Sequence, residues 1–149
     1  MDRYTVPAHL SAILSNMRHL VLIPGLSFAG LAGVFHIYIF YLESIVWTKP
    51  KTWKSFKVAS QESAEIIRPM ALNQGFYNLF LAIEILIGLV LLPSYSTIGY
   101  ALLLFATSSI SAAAAVLLVS VKGSKRAALL QGAPALAGLI LTTVGLLIK

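Results

Sequence analysis

LVLIPGLSFAGLAGVFHIYIFYLESIVW, Leu20–Trp47, is a 28-residue apolar run in which His36 and Glu43 are the only acidic or basic side chains. A helix of ~20 residues crosses the ~30 Å hydrocarbon core of a bilayer, so this run is long enough to span with tilt or an interfacial first turn. An ionisable group at that depth is expensive unless the fold satisfies or uses it. The chain is therefore read as a membrane protein with a polar interior.

Composition points the same way. The 149 residues are 58% apolar and 11% charged, and the mean hydropathy is +0.88, far more apolar than a soluble domain. No cysteine is present, which excludes disulfides, thiolate catalysis and thiolate metal sites. The formal charge of +6 would suit nucleic acid, but the Lys and Arg residues cluster beside the apolar runs, as membrane-flanking charges do. No nucleic-acid partner is expected. The first 19 residues show no small-residue cleavage site of a signal peptide and read as an extramembrane or interfacial N-terminus.

Three further apolar stretches follow, at about 69–92, 98–121 and 127–148. Continuous apolarity over such lengths suits helices, and the alternation of a membrane barrel is missing. The expected fold is all-α, a single transmembrane domain over 1–149 built as an antiparallel four-helix bundle. Pro69 is placed in the first turn of the second span and Pro93 at its exit. Loop 48–69 holds Lys49, Lys51, Lys54, Lys57 and Arg68, and loop 122–126 holds Lys122, Lys125 and Arg126, against Arg3, Arg18 and Lys149 on the other side. The positive-inside rule makes both basic loops cytoplasmic and both termini external.

Depth then follows at ~1.5 Å per residue. Glu43 lies four residues from Trp47, about 6 Å inside the cytoplasmic boundary, and His36 about 16 Å inside. Asn73, Gln74 and Gln131 fall near the level of Glu43, Tyr77 and Asn78 lie one turn deeper, and Ser108, Ser109 and Ser111 fall near His36. Gly33, His36, Phe40, Glu43 and Trp47 share one stripe of the first helix. Asn73, Tyr77 and Glu84 share one of the second, with Gln74 and Asn78 beside it. Polar groups facing lipid are penalised, so the two stripes are expected to face each other around an internal chamber. Buried Asn, Gln, Tyr and Ser also act simply as helix–helix glue, and for Gln131 and the serines that plainer role carries the greater weight. Glu84 reads as a partner for a helix or water at the outer face.

Trp47, Trp53 and Tyr95 are expected to anchor at the interface. The small residues of SSISAAAA (Ser108–Ala115) and Gly132, Gly138 and Gly145 permit close helix approach. No metal motif occurs, since His36 and Glu43 at i, i+7 are too far apart to ligate from one helix. No phosphate loop, dinucleotide fingerprint or nucleophile elbow is found, so no cofactor is expected.

The runs HIYIFYLESIVW (His36–Trp47), ALNQGFYNLFLA (Ala71–Ala82) and LLQGAPALAGLIL (Leu129–Leu141) resemble family 1304 of the domains of unknown function. The H-x6-E-x3-W and NQG-x-YN elements are fairly specific, and QG-x-PAL supports them. The resemblance implies a small four-span integral membrane protein and no settled activity. The TKPKTWKSF segment after Trp47 departs from the Pro-Arg-Gly-Arg-like run of relatives, and the N-terminal extension is longer than theirs.

On these grounds the chain is expected to bind an apolar or lipid-like small molecule in an intramembrane pocket. Glu43 would be the general acid or base and His36 the second proton-transfer group, in an isomerisation, cyclisation or epoxide opening. Asn73, Gln74, Tyr77, Asn78 and Gln131 would bind the substrate. Two alternatives stand beside this enzyme reading. One is a small homo-oligomeric transporter with Glu43 as a proton-coupled carboxyl. The other is a non-catalytic accessory protein with a dry, packed interior in which Glu43 and His36 are hydrogen-bonded within the fold.

Overall fold

A computed structural model describes residues 7–148. Helix α1, Ala8–Phe40, runs directly into a π turn at Tyr41–Ile45. A short α2, Pro50–Ser55, interrupts the first connection, and α3 covers Gln61–Leu91, α4 Ser96–Ser120 and α5 Lys125–Leu147. The four long helices are each long and apolar enough to cross a membrane. They form an antiparallel bundle in the ring order α1, α3, α4, α5, with α5 closing against α1. The protein is an integral membrane protein of all-α class.

Two boundaries differ from the sequence reading. Residues 8–19 are helical and continuous with the first span; residues 1–6 and Lys149, and with them Arg3 and Lys149 of the charge bias, lie outside the described residues. Helix α3 starts two turns before Pro69, because Ser60 caps it. The Ser63 amide donates to Ser60 Oγ at 3.1 Å, and Glu62 complements the dipole in the first turn. Pro69 thus lies inside the helix, as Pro24 and Pro134 do in theirs, and Arg68 becomes a helical residue.

Small side chains decide which faces meet. The buried positions include Gly25, Ala29, Ala32 and Gly33 on α1, Ala71, Gly75, Ala82 and Gly88 on α3, and Ala128, Gly132, Ala135 and Gly138 on α5. In lipid no hydrophobic force separates Leu from its surroundings, so helices associate by close van der Waals packing, which small residues allow. A Cβ on Gly99 would stand 2.7 Å from the Gly88 carbonyl oxygen. Ile85, Leu103 and Ile110 fill the centre.

The end carrying the lysines is folded as well. Trp47 and Trp53 are buried against Ala64 and Ala71 rather than anchored in lipid. Their indole N–H groups donate to the Ala64 carbonyl at 2.9 Å and to Gln61 Oε1 at 2.8 Å, so each polar handle is satisfied inside the protein. Tyr95 remains exposed at the opposite end. Lys57, at φ 62°, donates through Nζ to the Gly123 carbonyl at 2.6 Å and ties the two basic connections together.

Candidate functional site

The last turn of the first span is a π turn, in which the Val46 amide reaches back to the Tyr41 carbonyl at 3.1 Å. The extra residue per turn re-aims its side chains, and such turns often mark functional sites. Here it presents Glu43 and Ser44 to α3. Ser44 Oγ donates to the Leu72 carbonyl at 3.3 Å. Gly75 makes room for the turn: a Cβ there would overlap Ser44 Oγ and come within 3.2 Å of Glu43 Cβ. Phe40 packs edge-on against Phe76 with ring centroids 5.3 Å apart. The Asn78 amide donates to Glu43 Oε2 at 2.9 Å and to the Gln74 carbonyl at 2.9 Å, which orients the carboxylate.

Beside this pair lies a cleft of about 80 Å³ lined by Glu43, Ser44, Thr48 and Arg68, with Ile45, Trp47 and Leu72 as its apolar wall. Pockets that enclose a drug-sized ligand run to ~300 Å³ and more, so the cleft admits a head group or a few waters. Arg68 leans only weakly on Glu65, at 3.9 Å. Among the described residues no ion pair joins Arg68 to Glu43.

The expected stripe on the first helix is realised: Gly33, His36 and Trp47 are buried, and Phe40 and Glu43 are half-buried. The one on α3 is not. Asn73, Gln74 and Tyr77 are exposed on the outside of the bundle, because Ala71, Gly75 and Ala82 take the inward face. Asn78 alone of that group reaches Glu43. Gln131 is half-buried and, among the described residues, makes no side-chain hydrogen bond. Ser108 and Ser111 donate to carbonyls of their own helix, Phe105 at 2.8 Å and Thr107 at 2.7 Å. Residues that sequence reasoning passed over are Ser44, Thr48, Arg68 and Gly75. The glycine inside NQG is the available signal, and in the sequence Arg68 carries only a topology charge.

His36 does not line the cleft. It is 2% exposed, and its Nδ1 lies 2.8 Å from the Ala32 carbonyl. A carbonyl only accepts, so Nδ1 carries the proton. His36→Ala empties a buried ring-sized volume and is expected to cost about 2–4 kcal/mol, seen as a lowered thermal midpoint in detergent.

The three runs quoted above fall inside one region of family similarity, and the first two meet at the π turn. No curated protein and no solved structure matches the chain. The family model described as "Protein of unknown function (DUF1304)" matches residues 30–143. The chain belongs to this DUF1304 family.

Proposed function

We propose that this protein binds an amphiphilic, lipid-like small molecule at the cytoplasmic rim of the membrane, and that Glu43 transfers a proton on its head group. The observation that carries this reading is the cleft shared by a carboxylate and a guanidinium that are not paired with each other. A head group with an anionic or strongly polar end fits Arg68, and one with a hydroxyl or ammonium fits Glu43. Ile45 and Leu72, both exposed, continue from the cleft onto the outer surface, where a tail would lie in the bilayer. The cytoplasmic assignment rests on the eight basic residues flanking this end. A cleft of about 80 Å³ favours proton transfer or epoxide opening on a small head over cyclisation of a whole apolar skeleton.

A second reading, the accessory protein, draws support from the hydrogen bonds that satisfy His36 and Glu43 within the fold. Transport would use the same carboxylate and require an oligomer. Native mass spectrometry of protein released from mild detergent separates the first two. One amphiphile per chain is expected in the wild type. Arg68→Gln should lower its occupancy about tenfold, the loss of one charge-assisted contact. Wild-type protein that carries no ligand from its own membranes supports the accessory reading.

A further inference from the structure

Because the small residues of α3 face inward, its polar residues are left outside. The exposed Asn73 and Tyr77 follow one stripe with Met70, Phe80 and Ile87, and Glu84 lies half-buried on the same stripe. Glu84 lies seven residues from the end of α3 at Leu91, a rise of about 10 Å, well within a spanning helix. Among the described residues its carboxyl makes no hydrogen bond. An ionisable side chain on the lipid face of a spanning helix is rare, and such groups almost always face protein or a water-filled cavity. Glu84 is half-buried on this face, and among the described residues the bundle gives its carboxyl no partner, so a further protein surface is needed to supply one.

We propose that this stripe of α3 is the interface between two copies of this chain, related by a two-fold axis along the membrane normal. Copies inserted in the same direction meet under such an axis with every residue at the depth of its own counterpart. Each polar group on the stripe suits that arrangement. The Asn73 carboxamide donates and accepts, the Tyr77 hydroxyl does both, and two Glu84 carboxyls sharing a proton pair with each other. No other chain is required to satisfy them. Met70, Phe80 and Ile87 provide the packing between the polar levels, and interhelical hydrogen bonds of this kind are a recognised source of association in membranes. The proposal is independent of the cleft and of any ligand.

The chain contains no cysteine, so single cysteines report without background. Phe80→Cys, at the middle of the stripe, is oxidised with copper phenanthroline in native membranes beside two controls exposed elsewhere, Phe105→Cys on α4 and Ile140→Cys on α5. Phe80→Cys is expected to give a disulfide-linked species of twice the chain mass, at least about fivefold more than either control. Adding Asn73→Leu and Glu84→Leu should lower that yield by about fivefold, the equivalent of one or two interhelical hydrogen bonds. If the triple variant misfolds by circular dichroism, the comparison of Phe80→Cys with its controls decides. Equal yields at all three positions, no product at Phe80→Cys, a disulfide only to a different protein, or full yield in a folded triple variant would each overturn the proposal.

Discussion

Gly138→Ala is expected to lower stability by about 2–3 kcal/mol, the upper range for overpacking a well-filled core. A Cβ at this position meets the Ala29 amide nitrogen at 2.9 Å, Ala29 Cα at 3.2 Å and the Gly25 carbonyl oxygen at 3.3 Å. All three are backbone atoms, so no rotamer change relieves the contact and α1 must move away from α5. That displacement is shared by Gly25, whose own Cβ would lie 2.8 Å from the Thr142 amide. Gly30→Ala is the control. Its Cβ meets only Leu89 Cδ1, at 3.7 Å, an ordinary contact, and alanine is favoured over glycine in a helix by about 1 kcal/mol. The two identical substitutions should therefore shift the thermal midpoint in opposite directions. A Gly138→Ala protein as stable as wild type would mean that α1 and α5 do not approach as closely as described.

On the proposed acid–base role, Glu43→Gln is expected to slow turnover of the head group steeply while leaving the fold intact. Glutamine keeps the shape and an oxygen acceptor for the Asn78 amide now 2.9 Å from Oε2, but it can neither take up nor release a proton. General acid–base catalysis typically contributes 10²–10⁴-fold, and that is the expected loss in rate. Ligand occupancy by native mass spectrometry should fall less than it does in Arg68→Gln. Glu43→Ala behaves differently, because it leaves the Asn78 amide only its bond to the Gln74 carbonyl and should lower stability by about 1–3 kcal/mol. If Glu43→Gln keeps full activity towards an identified substrate, Glu43 does not transfer a proton and the enzyme reading fails.

The four spans and the inward stripe of the first helix were legible because hydropathy and helical period are local properties. His36 and Trp47 are buried for the reason the period gives. Helix α3 could not be read so simply. It carries a polar stripe and a small-residue stripe on different sides, and either could face inward. The penalty on polar groups in lipid argued for Asn73 and Tyr77, but close packing through Ala71, Gly75 and Ala82 prevailed. The π turn is not visible in hydropathy or helical period, because it meets α3 through a tertiary contact, Ser44 in the space above Gly75. Nor did the extra two turns of α3 follow from hydropathy, although Ser60 and Glu62 carried the capping chemistry that begins them. Arg68 reached the cleft through that extension alone.

The ring order has a consequence for how the chain is made. Helix α1 lies along α5, made only after α3 and α4, with Ala29 and Gly25 seated against Gly138 and Thr142. At 5–20 residues per second, α1 waits on the order of ten seconds beside the translocon before its second neighbour exists. During synthesis its Gly25–Ala29 face is open to other helices with small side chains. A newborn chain thus has a window for mispairing that stays open until α5 has been made.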